Sequence, residues 1–373
     1  MAFFYATQKI PLKLSHVLYI IPATLSTLAF YNGLILVKNM RLSLLLTGLL
    51  STHVLAGNSL NILVYHHVST ETPASTSVSP QQFRAHLKAL SEGPFQVVDL
   101  QWALNQIQQG APLPDHAVAI TFDDGYNNIY DNGMPLLVEF GMPFTVFVST
   151  ETIDRKFGDM MSWDTLRDLQ ANGATIANHS VKHDYFVRQF PLDDAWLDTA
   201  YHDITEAQQR IEAELGPSPK WFAYPYGEYN NALRDKLERE GWIAFGQQSG
   251  GVSQYSDFQA LPRFPAGGIY ANWNTLKTKL MSRPLPVDYR AMPDPITQLN
   301  PPQLELRLLE PLPRSQNINC FVNGDWMPIK WVDAMTFSMQ PSQPLDAGRS
   351  RYNCTAKIAE GQFYWFSHQW LRQ

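Results

Sequence analysis

Residues 117–125, AVAITFDDG, join an apolar, β-branched run to two adjacent aspartates and a glycine. A short apolar run bounded by turn residues predicts a buried strand. Side chains that follow one another along a strand point to opposite faces, so Asp123 and Asp124 can share a site only where the pleat is broken. Gly125 permits such a break, because glycine adopts backbone conformations that other residues avoid. An ordinary Asp-Asp-Gly turn is the alternative on these residues alone.

A second predicted strand, residues 174–178, ends at a pair of histidines. His179 follows this strand directly, and His183 lies four residues later, which is one helical turn if the segment coils. Two neutral imidazoles and one carboxylate suit zinc or a similar divalent ion, and they leave a coordination position open for water. Such an ion lowers the pKa of bound water to roughly 7. The residues therefore predict metal-assisted hydrolysis.

These segments resemble motifs of the polysaccharide deacetylases of carbohydrate esterase family four, over roughly Asn61 to Arg263. Thr121–Gly125 resembles the first motif, which implies that Asp123 is the catalytic base and Asp124 a metal ligand. His179 and His183 match the second motif, which implies the other two ligands of one divalent ion, expected to be Zn²⁺.

Residues 222–227, FAYPYG, are similar to the third motif of the family. The resemblance implies that Tyr224, Pro225 and Tyr226 line the substrate groove, and that the Tyr226 backbone N–H contacts the oxyanion. The family often carries an arginine where this chain has Ala223, so the usual partner of the base is missing. Arg263, expected on an exposed loop at a strand end, is the candidate replacement, and an ordinary surface arginine is the alternative.

The late catalytic histidine of the family, in a Leu-x-x-His context, is not found after Arg263 in the catalytic region. Residues 63–68, LVYHHV, instead place histidines near the start. This order resembles the biofilm exopolysaccharide deacetylases that act on poly-β-1,6-N-acetylglucosamine. The resemblance implies that His66 protonates the leaving sugar nitrogen, a role that suits imidazole near neutral pH. His67 is expected to be turned away or merely to line the groove.

Composition and the N-terminus bound the class of protein. The net charge of -6 argues against a nucleic-acid partner. Residues 40–56 are typical of a signal peptide, with a charged start, an apolar run and the small-residue site Val54-Leu55-Ala56. Residues 1–39 are either an over-extended start ahead of Met40 or a membrane segment, since the run from 17 to 37 is long enough to span a bilayer. Both alternatives place the protein outside the cytoplasm, in the periplasm or the extracellular space, or anchored to a membrane if the apolar run is retained.

Residues 58–283 alternate apolar strands with amphipathic helices, which predicts parallel strands. Helices are expected from Asp193 to Leu215 and from Asn230 to Glu240. With the family resemblance, the fold class is α/β, a distorted (β/α)7-type barrel of about seven strands.

A composition break follows the barrel. Residues 284–302 read as a proline-rich linker, and residues 303–373 as a small C-terminal all-β module that could contact carbohydrate. Cys320 and Cys354 lie in this module, and in an exported protein they predict one disulfide. The module also holds aromatic side chains that could fill its core or stack on sugars: Trp326, Trp331, Tyr364, Trp365 and Trp370.

The expected function is metal-dependent removal of N-acetyl groups from an N-acetylglucosamine polymer, with exopolysaccharide favoured. Deacetylation of chitin oligosaccharides or peptidoglycan is the first alternative. A non-catalytic glycan-binding protein on the same fold is the second.

Overall fold

The computed structural model describes residues 59–188, 191–312, 317–359 and 361–372. The predicted signal peptide at 40–56 and the upstream segment 1–39 lie outside these residues. Among the described helices, none combines the length and the apolar character needed to cross a membrane.

The first part of the chain alternates strands and helices, as predicted. Its strands are β1 Leu60–Tyr65, β2 His67–Val68, β3 Ser77–Val78, β4 Gln96–Val97, β5 Ala117–Phe122, β6 Phe144–Val148, β7 Ala174–Asn178, β8 Trp221–Ala223, β9 Ile243–Phe245, β10 Gly251–Val252 and β11 Phe264–Pro265. Its helices are α1 Pro80–Glu92, α2 Leu100–Gln108, α3 Met134–Phe140, α4 Thr150–Asp154, α5 Trp163–Ala171, α6 Asp194–Leu215, α7 Asn231–Arg239 and α8 Trp273–Leu280. Asp193 and Asn230 cap α6 and α7 through their side chains, so both predicted helices are confirmed.

The main sheet curls into a distorted barrel. Strands β1, β5, β6, β7, β8 and β9 are neighbours in that order and run parallel. The segment 261–265 joins the two edges, because Leu261 bridges Phe245 of β9 in parallel and β11 pairs in parallel with β1. Seven parallel segments therefore surround the interior, which confirms the predicted barrel class.

Alternation along β5 shows how the barrel is filled. Val118, Ile120 and Phe122 pack with side chains of α1 and α3 in the outer core. Ala117 and Ala119 belong to a separate cluster with inward residues of the other strands and with α2. The inward positions of β5 are thus the odd-numbered ones, and the next odd-numbered residue after the strand is Asp123.

The C-terminal module is built from β12 Arg283–Pro284, β13 Leu304–Arg307, β14 Ile318–Val322, β15 Asp325–Met327, β16 Ile329–Trp331, β17 Thr336–Met339, β18 Gly348–Ala359 and β19 Gln362–Arg372. They form a sheet in the order β12-β19-β18-β14-β15 and a smaller one in the order β13-β17-β16. Cys320 and Cys354 form the predicted disulfide between the paired strands β14 and β18.

The segment expected to be a linker is packed against the module. Leu285 and Val287 are fully buried in its core, and Pro284 pairs with Trp365 of β19. Apolar residues between the prolines therefore make residues 284–302 part of the folded structure and not an extended connection. Most of the aromatic side chains serve the core, and Trp370 is 2% exposed, whereas Trp326 is 62% exposed.

Candidate active site

The predicted site residues meet at one rim of the barrel, where the parallel strands end. Asp123 and Asp124 follow β5, His179 follows β7 and Tyr226 follows β8. His66 follows β1 on the other side of β5. Residues that are far apart in sequence share this rim because catalytic side chains of α/β barrels sit at the carboxyl ends of the strands.

Asp123 continues the inward pattern of β5 and is fully buried. The Arg263 guanidinium donates from Nη1 to Asp123 Oδ1 and from Nη2 to Oδ2, both at 2.7 Å. Burial alone would raise the pKa of Asp123, but the neighbouring positive charge, that of Arg263 above all, outweighs it and holds the pKa below its ordinary value. The carboxylate is therefore ionised and fixed in orientation.

The structure corrects the expected environment of Arg263. Its side chain is fully buried, not on an exposed loop, and the ordinary surface arginine of the alternative is excluded. Nε also donates to the Gly246 carbonyl at 3.0 Å, and Nη1 donates to Thr121 Oγ1 at 3.2 Å. Arg263 thus reaches Asp123 from the segment 261–265, which lies between β9 and β1, and not from β8, the strand that carries Ala223.

The predicted break in the pleat occurs at Asp124 itself. Asp124 has φ 74° and Gly125 has φ 85°, so both residues lie in the left-handed region. This conformation costs a non-glycine residue energy and persists only where the surroundings enforce it. The break turns Asp124 to the same rim as Asp123, which a regular strand could not do.

Asp124, His179 and His183 form a compact group whose ligand atoms all lie within 4.8 Å of one another. Asp124 Oδ1 is 3.3 Å from His179 Nε2 and 3.2 Å from His183 Nε2. This oxygen is buried and accepts no hydrogen bond from the described residues.

The protonation of His179 tests whether this group fits a cation. Its Nδ1 is 2.7 Å from the Ala223 carbonyl, which can only accept, so Nδ1 carries the proton. In the neutral ring Nε2 then presents a lone pair towards the Asp124 carboxylate. Electron pairs that face each other in this way need a positive charge between them, and a backbone carbonyl behind a ligating histidine is the usual support of a metal site. The donor set fits one divalent ion.

The two histidines are brought together by a turn and not by a helix. Ser180 has φ 77° and His183 has φ 60°, which interrupts any helical path between the two histidines. Ser180 Oγ accepts a hydrogen bond from the His183 backbone N–H at 2.8 Å. The condition that the segment coils is therefore not met, and the four-residue spacing works through this turn. The Ser180 hydroxyl is buried in a structural contact, not placed as a nucleophile.

The third motif needs a correction as well. Tyr224 is fully buried, and its hydroxyl donates to the Gln259 carbonyl at 2.8 Å, so it lies in the core and does not line a groove. Pro225 is buried too. Tyr226 alone of the three is partly exposed. Its ring stacks on Tyr185 with centroids 3.7 Å apart and meets the His183 ring edge-on at 4.6 Å.

The two early histidines have different surroundings. His66 is partly exposed and directly follows β1, the neighbour of the strand β5 that leads to Asp123 and Asp124. His67 is buried: its ring stacks on Tyr126 at 3.8 Å, and its Nδ1 is 3.0 Å from the Asn128 amide nitrogen. Burial lowers the pKa of His67 more than the Asp124 charge raises it.

Sequence reasoning missed the residues of a cavity beside Asp124 and His183. A cavity of about 340 Å³ is lined by Asp124, Tyr126, Thr152, Phe157, Asp159 and His183. Burial and the Asp124 charge raise the pKa of Tyr126 to about 12, so its hydroxyl stays protonated and can donate. Tyr126 directly follows the Thr121–Gly125 motif, and this position could have indicated that it lies at the site. No sequence feature indicated that Asp159, on the connection between α4 and α5, lies at the site.

Comparison with known proteins gives a consistent result. Residues 110–243 match the family model of polysaccharide deacetylases. A poly-β-1,6-N-acetyl-D-glucosamine N-deacetylase of Escherichia coli (strain K12) is 24% identical over 243 residues, which cover 55% of this chain but 36% of that protein. A Staphylococcus aureus (strain MRSA252) protein of the same name is 26% identical over 216 residues, which cover 55% of this chain and 73% of that protein.

Among solved structures, IcaB from Ammonifex degensii superposes with a TM-score of 0.53 at 22% identity, covering 60% of this chain and 97% of that one. A likeness at this identity supports the fold. The matched family range contains the aspartate pair, the two histidines and the Tyr226 turn that the structure brings to one rim. The part of the barrel that carries this rim therefore matches the polysaccharide deacetylase family model.

Proposed function

We propose that this protein removes N-acetyl groups from an N-acetylglucosamine-containing polysaccharide by metal-dependent hydrolysis. One observation carries the proposal. A buried carboxylate, Asp123, is held by Arg263 directly beside the group formed by Asp124, His179 and His183. Metal-dependent amide hydrolysis needs a base beside a site for an electrophilic cation, and this rim supplies both.

Asp124, His179 and His183 would hold the divalent ion, with Zn²⁺ as the proposed species. When bound, such an ion polarises the acetyl carbonyl and makes water a better nucleophile at neutral pH. Asp123 accepts the proton of the attacking water on a carboxylate oxygen. Arg263 keeps this carboxylate ionised and fixed in direction, which lets it act as a general base.

The tetrahedral intermediate then has to be stabilised and to release the amine. The Tyr226 backbone N–H donates to the oxyanion, an interaction that is strongest where negative charge develops. His66 gives a proton to the departing sugar nitrogen, because an amide anion is too poor a leaving group to depart without one. The products are acetate and a glucosamine unit.

The substrate class is proposed from two features. The relatives in Escherichia coli and Staphylococcus aureus are both named poly-β-1,6-N-acetyl-D-glucosamine N-deacetylases. His66 precedes the aspartate motif in the chain, and this order of motifs resembles that of such enzymes. An exopolysaccharide in the periplasm or outside the cell is the proposed substrate, ahead of chitin oligosaccharides and peptidoglycan.

Acetate release from a panel of substrates tests the function. The purified chain is incubated with β-1,6-linked and β-1,4-linked N-acetylglucosamine oligomers and with peptidoglycan, after metal removal and again after Zn²⁺ addition. We expect release to be fastest from the β-1,6 oligomer, to require Zn²⁺ and to be absent in Asp123→Asn. Binding of a glycan without release of acetate would instead support the non-catalytic alternative.

A further inference from the structure

The turn that carries the proposed oxyanion donor is held by the C-terminal module. We call residues 225–228 the Tyr226 turn. Gln369 of β19 donates from Nε2 to the Gly227 carbonyl at 2.8 Å. The Arg349 guanidinium of β18 donates to the Tyr226 carbonyl. Two consecutive carbonyls of the turn therefore have donors from outside the barrel.

The backbone of this turn is one that needs such support. Tyr226 has φ 60° and ψ 2°, a left-handed conformation that is unfavourable for a tyrosine. Gly227 has φ 71°, and a Cβ there would lie 2.7 Å from the Gln247 backbone nitrogen. The turn is thus packed tightly at Gly227 and is strained at Tyr226, whose backbone N–H is the proposed oxyanion donor.

A third set of contacts ties the same turn to the segment that follows His183. Glu228 is buried and accepts from Arg188 at 2.5 and 2.8 Å, while Arg349 lies 3.8 Å from its Oε1. The Arg188 guanidinium lies 4.1 Å from the centre of the Tyr185 ring, which stacks on Tyr226. Arg349 therefore contacts the turn at its carbonyl and at the carboxylate that anchors its other end.

We infer that the C-terminal module is part of the catalytic unit, with Arg349 and Gln369 as positioning residues that hold the Tyr226 turn in the conformation required for hydrolysis. The inference rests on the proposed function, in which the Tyr226 N–H stabilises the oxyanion. The two side chains act through the turn and do not touch the reacting atoms. Arg349 and Gln369 contribute in the transition state, because the hydrogen bond from the Tyr226 N–H to the substrate oxyanion becomes strong there.

The test uses the full chain and three variants: Arg349→Ala, Gln369→Leu and the conservative Arg349→Lys. Arg372→Ala is the matched control, because the Arg372 guanidinium donates to the Leu345 carbonyl within the module. With deacetylation as readout, we expect kcat of Arg349→Ala and Gln369→Leu to fall about 10- to 100-fold at nearly constant KM, since a small misplacement of a catalytic donor has this effect. Arg349→Lys should recover part of the loss, and metal content should be unchanged in all variants.

Hydrogen exchange of the peptide that contains residues 221–230 provides a readout independent of activity. It should become faster in Arg349→Ala and Gln369→Leu but not in Arg372→Ala. Unchanged kcat in the first two variants, or an equal loss in the Arg372 control, would overturn the inference. If the wild-type chain released acetate from no substrate, the proposed function would fail, while the exchange comparison would still decide whether the module holds the turn.

Discussion

Replacing Arg263 with alanine is the sharpest test of how the base is held. Arg263 and Asp123 are both fully buried and share two hydrogen bonds of 2.7 Å. Removing the guanidinium leaves a carboxylate inside the barrel without its counter-charge. Breaking a buried ion pair from one side costs about 3–5 kcal/mol, a large part of the roughly 5–15 kcal/mol that keeps a domain folded. For a domain of this size, that cost lowers the melting temperature by roughly 6 to 20 °C.

Urea unfolding and thermal melting of Arg263→Ala measure this cost, with Arg84→Ala as control. Arg84 forms an equally close pair with Glu139, but both side chains are about half exposed, so its loss should have little effect. A double variant, Asp123→Leu with Arg263→Met, should regain most of the stability, because apolar residues of similar volume can replace a buried pair. It should remain inactive, since the base is gone.

Recovery of stability without recovery of activity would separate the two roles of the pair. A free energy of unfolding for Arg263→Ala within about 1 kcal/mol of the wild-type value would refute the reasoning, because an uncompensated buried charge destabilises the fold by more than that. Unchanged kcat in the folded fraction of Arg263→Ala would refute the role of Arg263 in orienting Asp123.

The remaining predictions concern single side chains. His183→Ala should lose both the divalent ion and activity; full ion occupancy by elemental analysis would remove His183 from the ligands. Asp123→Asn should retain the ion yet lose hydrolysis by orders of magnitude, and an active variant would contradict its role as base. His66→Ala should lower kcat by about 10²–10⁴-fold, with partial rescue on an activated aryl ester, whereas His67→Ala should cost much less; a dominant loss at His67 would reverse the assignment. Burial lowers the pKa of His368 to about 3, against about 6.5 in an unfolded chain. Because its folded pKa is depressed, its contribution to stability is full above pH 6.5 and is lost as pH falls towards 3, by up to roughly 5 kcal/mol. His368→Phe should flatten this acid dependence in urea unfolding, and an unchanged slope would contradict it.

Local patterns predicted the alternating strands and helices because each element carries its own signal, and the family resemblance added the barrel. The apolar run 117–122 and the helices expected from Asp193 and from Asn230 are fixed by neighbours in sequence, and all three are found as expected. Residue types and spacing also predicted two histidines and one carboxylate as ligands of a divalent ion. The choice of Asp124 as that carboxylate came from the family resemblance and stays a prediction.

What the sequence did not reveal depends on contacts between distant residues. Tyr224 looked like a groove residue beside Tyr226, but its ring turns into the core and its hydroxyl finds Gln259, 35 residues away. The burial of Arg263 follows from the closure of the barrel, which no local pattern encodes. The contacts of Arg349 and Gln369 with the Tyr226 turn lie across two parts of the chain that have no sequence signal in common.

The closure of the barrel explains how the order of catalytic residues along a chain can change without changing their arrangement in space. Residues 261–265 lie beside β1, with Leu63 opposite Phe264 and Val64 opposite Pro265. The carboxyl ends of the first and the last parallel segments are therefore next-door positions. A histidine placed just after either one would face the same substrate nitrogen. In this chain the proposed proton donor, His66, comes before the aspartates, and a histidine directly after residue 265 would lie at the same end of the barrel.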